Sequence, residues 1–117
     1  MYFGGSEIWF EHLDGIYSYT DLAIEKLEKD HLTFKRSSVP SLIAINLDET
    51  EINDKLIAAI ADKLLNGSKR FTRVVFVGTD SYSKRKIKTA LAASGFALSF
   101  INDFEKAKEW LVSESFM

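Results

Sequence analysis

The chain has 117 residues, of which 46% are hydrophobic and 27% charged, and its formal net charge is −2. This length can bury enough apolar surface to fold without covalent staples, so we expect a single domain over residues 1–117. The chain contains no cysteine, which excludes disulfides, thiolate metal sites and cysteine nucleophiles.

The first predicted elements are a strand and a helix. Residues 7–13 are rich in aromatic and apolar side chains, which is typical of a strand, and an Asp-Gly turn follows them. Residues 16–19 either pair back as a hairpin partner or lead directly into the helix. Thr20 or Asp21 is a suitable N-cap, so the helix is expected to begin there and to run to about residue 29.

The middle of the chain predicts two buried strands with a helix between them. Residues 42–47 and 73–78 are continuous apolar runs, which are typical of central strands covered on both faces. Thr50 is the expected N-cap of the second helix. The pair Asn66-Gly67 is expected to end it, because both residues tolerate the left-handed conformation.

The last part of the chain repeats the same alternation. Ser81 or Ser83 is expected to cap a third helix, and residues 97–101 predict the last strand. Asn102 with Glu105 resembles the capping box of a fourth helix. Four alternations of strand and helix predict an α/β fold, in which a mostly parallel four- to five-stranded sheet is flanked by four helices.

Four segments also carry a resemblance to a known family. They are the turn and helix start in Leu13-Asp14-Gly15 and Thr20-Asp21-Leu22-Ala23, the strand end Ile45-Asn46-Leu47-Asp48, the turn Ala93-Ser94-Gly95-Phe96, and the closing segment 100–111. Together they resemble the STAS family, the domains of anti-sigma-factor antagonists and sulfate-transporter tails, and the closing segment is similar to stage II sporulation protein AA-like members. The resemblance implies a STAS-like fold and a regulatory function.

The resemblance points to a partner or switch loop at the start of the second helix. Antagonists of the switching kind carry a phosphorylatable Ser there, in an Asp-Ser-Ser-Gly-like stretch. This chain has neither that Ser nor the Gly, and Thr50 is the only hydroxyl in the stretch, so Thr50 is the one candidate for phosphorylation. Ordinary helix capping is the simpler interpretation of the same residues. The candidate loop residues are Asp48, Glu49, Thr50, Glu51, Asn53 and Asp54.

A second candidate site follows from the uneven distribution of charge. Residues 69–88 hold seven bases and one acid, although the whole chain is acidic. Backbone N–H groups at the start of the third helix, with the nearby bases, form a candidate anion site. We expect no nucleic-acid binding, since the segment lacks a stacking platform and the rest of the chain repels phosphates. The candidate anion-binding residues are Thr79, Ser81, Ser83, Lys84 and Arg85.

The sequence therefore predicts a non-catalytic regulatory domain, without a cofactor, that binds a protein partner or a small anionic or apolar ligand. A small phosphate- or magnesium-handling enzyme that uses Asp14, Asp48 and Asp80 is the first alternative. A self-association module is the second, because Trp9 and Phe10 fall on opposite faces of an N-terminal strand and one of them could face a second copy in a homodimer.

No apolar run approaches the roughly 18 residues that span a bilayer, and no secretory signal is recognisable, so a cytoplasmic location is expected.

Overall fold

The structure is a computed structural model, and it describes residues 2–3, 6–33, 41–66 and 71–113. Five strands and four helices alternate along these ranges, after an initial strand pair. The strands are β1 (Tyr2–Phe3), β2 (Ser6–His12), β3 (Ser41–Asn46), β4 (Phe71–Val77) and β5 (Ala97–Phe100). The helices are α1 (Thr20–Thr33), α2 (Asp54–Asn66), α3 (Ser81–Ala90) and α4 (Phe104–Leu111).

The five strands form one sheet in the order of the sequence, β1-β2-β3-β4-β5. The short β1 pairs antiparallel with the start of β2, and β2 to β5 pair in parallel. This confirms the predicted fold class, a mostly parallel sheet with four helices. The sequence had not indicated β1, which has only two residues.

Three helices cover one face of this sheet. Every parallel strand is added on the same side of the preceding one, so right-handed crossovers bring α1, α2 and α3 to a common face. Their apolar residues Leu27, Ile60 and Ile87 share one buried cluster with Ile43 and Phe76 of the central strands. The continuous apolar runs of β3 and β4 supply the sheet side of this core.

Among the described residues, α4 is the helix that covers the opposite face. Ala107 and Leu111 of this helix are fully buried against Ala44 and Val75 of the two central strands. The Arg73 guanidinium of β4 donates 2.8 Å hydrogen bonds to the carbonyl oxygens of Leu111 and Ser113. Because these carbonyls lie at the end of α4, the cation also complements the negative end of the helix dipole.

The helix starts differ from the predicted ones at three places. Helix α2 begins at Asp54, and Asn53 caps it by accepting a 3.0 Å bond from the Leu56 N–H, so the expected Thr50 cap is wrong. Asp80 caps α3, which corrects the expected Ser81 or Ser83 cap, and Asp103 caps α4 in place of Asn102. Several residues in each turn could accept such a bond, and backbone geometry selected among them.

Two other local predictions have different outcomes. Residues 16–19 form no hairpin strand, and Tyr17 makes an isolated parallel bridge with Thr50 of the next loop. Trp9 and Phe10 do lie on opposite faces, Trp9 with the α1–α3 core and Phe10 with the α4 core. The expected end of α2 at Gly67 lies outside the described residues, as do Lys69 and Arg70 of the basic segment.

Candidate functional site

The loops after β2 and β3 are joined to each other at the carboxyl edge of the sheet. The Gly15 N–H donates to the Asp48 carbonyl at 2.8 Å, and the Tyr17 N–H donates to the Glu49 carbonyl at 2.9 Å. In return the Glu51 N–H donates to the Tyr17 carbonyl at 2.7 Å. The two loops thereby continue the parallel pairing of their strands, which holds the predicted partner loop in one conformation.

Thr50 connects these two loops through its side chain. Its hydroxyl donates a hydrogen bond to the Leu13 carbonyl and accepts one, at 3.1 Å, from the Ile16 N–H. The side chain is half-buried, and both hydrogen-bonding functions of the hydroxyl are used. The structure therefore gives Thr50 a structural role that the sequence did not indicate, in place of helix capping.

Thr50→Val is expected to lower the free energy of unfolding by about 2 kcal/mol, because the isosteric side chain leaves the Leu13 carbonyl and the Ile16 N–H without this partner. Urea denaturation followed by circular dichroism measures the loss. Thr89→Val is a matched control, since the exposed Thr89 hydroxyl only donates back to the Arg85 carbonyl of its own helix. We expect the control to change stability by less than about 0.5 kcal/mol. Equal losses in both variants would show that Thr50 does not connect the loops.

The other predicted loop residues lie around this connection. Asp48, Glu49 and Glu51 are exposed, and Glu49 adopts a left-handed backbone with φ 56°. Asn53 caps α2 and also donates a 2.7 Å bond to the Thr20 hydroxyl, which ties the start of α2 to that of α1. Asp54 accepts a 2.6 Å bond from Lys86 of α3. All six predicted residues thus lie in one loop or at the start of the helix that follows it, and Asp48, Glu49 and Glu51 are exposed, with the Glu51 carboxylate accepting a 3.2 Å bond from Asn53.

Two exposed tyrosines and a leucine stand beside these carboxylates. Tyr17 is 60% exposed, Tyr19 67% and Leu22 55%. Large apolar side chains at this exposure usually occur singly, whereas these three fall within six residues of one another. We call residues 14–22 and 48–55 together the carboxyl-edge platform.

The platform is strongly acidic. Its residues include six acids and one base, Lys55, in a chain whose net charge is −2. Lys55 pairs with Asp21 across the two helix starts, and Lys86 pairs with Asp54, so most of the negative charge comes from the remaining residues. Those acids are Asp14, Asp48, Glu49 and Glu51.

The predicted anion site at the start of α3 already contains an internal anion. The Asp80 carboxylate accepts a 2.7 Å bond from the Ser83 N–H, and this bond holds the pKa of Asp80 below its usual value. The Gly78 and Thr79 N–H groups donate to the Asn102 side-chain oxygen, at 3.1 and 3.3 Å. An external anion would therefore have to displace side chains of the protein from these N–H groups.

The five predicted anion-binding residues are not gathered around one point. Thr79 and Ser83 are buried, at 6% and 3% exposure, and Ser81 is exposed. Lys84 lies over the Phe100 ring at 5.6 Å, on the β5 side of α3. Arg85 lines a groove between α2 and α3 instead. The sequence placed these residues close together along the chain, but the helix directs the two bases to different sides.

The three strand-end acids lie on three successive loops of the same sheet edge. Within the described ranges, however, no group of three or more His, Asp or Glu side chains is arranged to hold a metal ion. The Asp14 carboxylate lies 3.7 Å from the His12 ring nitrogen, and the Asp80 carboxylate caps α3. Asp14 and Asp80 therefore have local partners within the chain.

Glu11 of β2 was not among the predicted site residues, yet its side chain is buried, with 1% exposure. It faces α1, where its carboxylate lies 3.6 Å from Lys26 Nζ, and Lys26 also bonds Asp30 at 2.6 Å. Burial, and next the hydrogen bond to Asp30, raise the pKa of Glu11 to about 8. Alternation along the strand could have indicated this burial, since Glu11 lies on the same face of the strand as the core residue Leu13.

Searches against protein-family models, curated proteins and solved structures found no match to this chain. None of the helices in the described ranges combines the length and the apolarity that crossing a membrane requires.

Proposed function

We propose that this chain is a non-catalytic regulatory domain of the STAS type, and that its carboxyl-edge platform binds a protein partner. The observation that carries the proposal is the pair of exposed tyrosines, Tyr17 and Tyr19, on a loop fixed to its neighbour and surrounded by carboxylates. The strand and helix order on which the resemblance rests supports the STAS-type assignment. A cytoplasmic location belongs to the same proposal.

The backbone bonds of the platform favour binding energetically. A binding loop loses conformational entropy when a partner orders it, and this loss reduces affinity. The N–H and the carbonyl of Tyr17 both form hydrogen bonds to the neighbouring loop. The backbone of this loop therefore loses most of its conformational entropy when the domain folds and not when a partner binds. Tyrosine is also among the residues that contribute most to protein interfaces.

The charge of the platform indicates the chemistry of the partner. Four exposed carboxylates that lack a nearby lysine or arginine partner in the described contacts repel acidic surfaces and attract basic ones. The proposed partner is therefore a protein with a basic surface and an apolar pocket that accepts a tyrosine ring. Recognition of this kind needs no phosphorylation of Thr50, whose hydroxyl takes part in two hydrogen bonds.

The test is quantitative capture of partners by the immobilised chain, followed by titration of each captured protein. Tyr19→Ala and Tyr17→Asn remove the rings, and asparagine tolerates the left-handed φ of 53° at position 17. We expect each change to weaken the partner's affinity about tenfold or more. Higher salt should weaken binding further, because opposite charges are screened.

Tyr82→Ala is the matched control, since Tyr82 is 63% exposed but lies on α3 outside the platform. The proposal requires that this variant keeps the affinity of the unmodified chain. It fails if the captured proteins bind all the variants equally, or if only Tyr82→Ala releases them.

A further inference from the structure

An apolar groove opens on the face of the sheet opposite to α1, α2 and α3. It has a volume of about 310 Å³ and lies between strand β2 and helix α4. Ile8 and Phe10 of β2 form one wall, and Phe104 and Leu111 of α4 form the other. This volume is within the range of small-molecule sites in proteins, which begins near 300 Å³.

The groove follows from the topology of the sheet. Three same-handed crossovers place their helices on one face, so within the part of the chain that the structure describes α4 is the helix that covers the other. Helix α4 packs on the central strands, where Ala107 contacts the cluster of Ala44 and Val75. Phe10 of β2 remains only half-buried beside it, and its ring lies 6.0 Å from the Phe104 ring in a T-shaped arrangement.

The polar groups of the groove are basic. Among the described residues that line it, His12 and Lys108 are the titratable ones, and no carboxylate lines it. Lys108 is paired with Glu105 at 2.9 Å, but the Glu105 side chain is 76% exposed. An exposed ion pair of this kind contributes little free energy, so a ligand carboxylate can replace Glu105 at Lys108.

We propose that this groove binds a small amphipathic carboxylate, with its apolar body between β2 and α4 and its carboxylate at Lys108 and His12. The Lys108 ammonium and an imidazole N–H of His12 donate hydrogen bonds to the carboxylate, and Phe10 and Leu111 contact the apolar body. The groove shares no lining residue with the carboxyl-edge platform, although His12 lies 3.7 Å from Asp14 of the platform, and the proposal does not depend on the proposed protein partner.

Decanoate is the probe, and decanol, which has the same chain without the charge, is its comparison. Isothermal titration gives the affinities, and amide shifts of labelled protein locate the site. We expect decanoate to bind with shifts at residues 8–12 and 104–112. Lys108→Met, which keeps the apolar stem, should weaken decanoate about tenfold, because a charge-assisted bond is lost, and leave decanol unchanged.

Lys106→Met is the matched control, since Lys106 lies on the exposed side of the same helix and does not line the groove. Val112→Phe fills the groove and should abolish binding of both probes. The proposal is overturned if Lys106→Met weakens decanoate as much as Lys108→Met does, or if decanoate shifts only residues outside the groove. It is also overturned if decanoate does not bind. If the chain is then a dimer that Val112→Phe dissociates, the occupant of the groove is a second copy.

Discussion

Gly78→Ala is expected to lower the free energy of unfolding by about 3 kcal/mol, the largest loss we expect from a single added methyl group. Gly78 has φ 84°, a conformation that disfavours any side chain. A Cβ at this position would lie 2.5 Å from Asp48 Oδ1 and 2.6 Å from the Asp48 backbone nitrogen. The loops after β3 and β4 would have to separate, and this would disturb the carboxyl edge that both share.

Gly15→Ala is the matched control for this experiment. Gly15 also has a positive φ, of 70°, but a Cβ there would meet no atom within 4 Å. Gly15→Ala is therefore expected to lower the free energy of unfolding by about 1 kcal/mol, which is the cost of placing a side chain at a positive φ. Urea denaturation followed by the fluorescence of Trp9 and Trp110 measures both variants. Equal losses at the two positions would show that Asp48 does not restrict Gly78.

Between pH 6.5 and pH 8.5 the protein is expected to lose about 2 kcal/mol of stability, and Glu11→Gln should abolish most of this loss. The buried Glu11 has its pKa raised from 4.5 to about 8. The folded state therefore binds a proton that the unfolded state has released, so stability falls as pH rises through this window. Glutamine keeps a donor toward Asp30 at every pH, which removes the dependence.

His31 acts in the opposite direction at lower pH. Burial, and next the charge of Lys63, lower the pKa of His31 to about 4 from 6.5, while Asp30 acts against this shift. Between pH 4 and pH 6.5 the unfolded state binds the extra proton, so His31 makes stability rise with pH there. The two groups largely cancel below pH 6.5, and the effect of Glu11 remains alone above it.

Thermal or urea unfolding at a series of pH values measures the profile. Glu25→Gln is the control, since Glu25 is an exposed residue of α1 that pairs with Lys29 four residues later. This variant should keep the loss between pH 6.5 and pH 8.5. The same loss in Glu11→Gln would mean that another group titrates in this window.

The fold could be predicted from the sequence because its signals are local. Residues 42–47 and 74–77 are almost entirely apolar, and short runs of this kind, flanked by turn residues, are typical of strands covered on both faces. The two-residue strand β1 carries no such pattern, because two residues are too few to show a period. The helix caps were misassigned because neighbouring residues offered equivalent oxygens, and only the path of the backbone distinguishes them.

The candidate site could be predicted only in part. The loop after β3 could be placed at the carboxyl edge because open α/β sheets usually bind ligands where their parallel strands end. Its predicted role as a partner or switch loop came from the resemblance to the STAS family. The role of Thr50 did not follow, because its partners Leu13 and Ile16 are 37 and 34 residues away along the chain. The surroundings of Glu11 were not predicted for a related reason. Strand alternation indicates on which face of the sheet a side chain lies, but not which side chains of the facing helix contact it.

The alternation of strands and helices, the parallel sheet and the acidic character of the β3–α2 loop were determined by the sequence alone, because hydrophobic periodicity and charge are properties of short segments. Tertiary structure decided the pairing of the two loops, the contact of Gly78 with Asp48, the burial of Glu11 and the groove beside α4. Each of these depends on the strand order, which places three helices on one face and one on the other. No local segment carries that information.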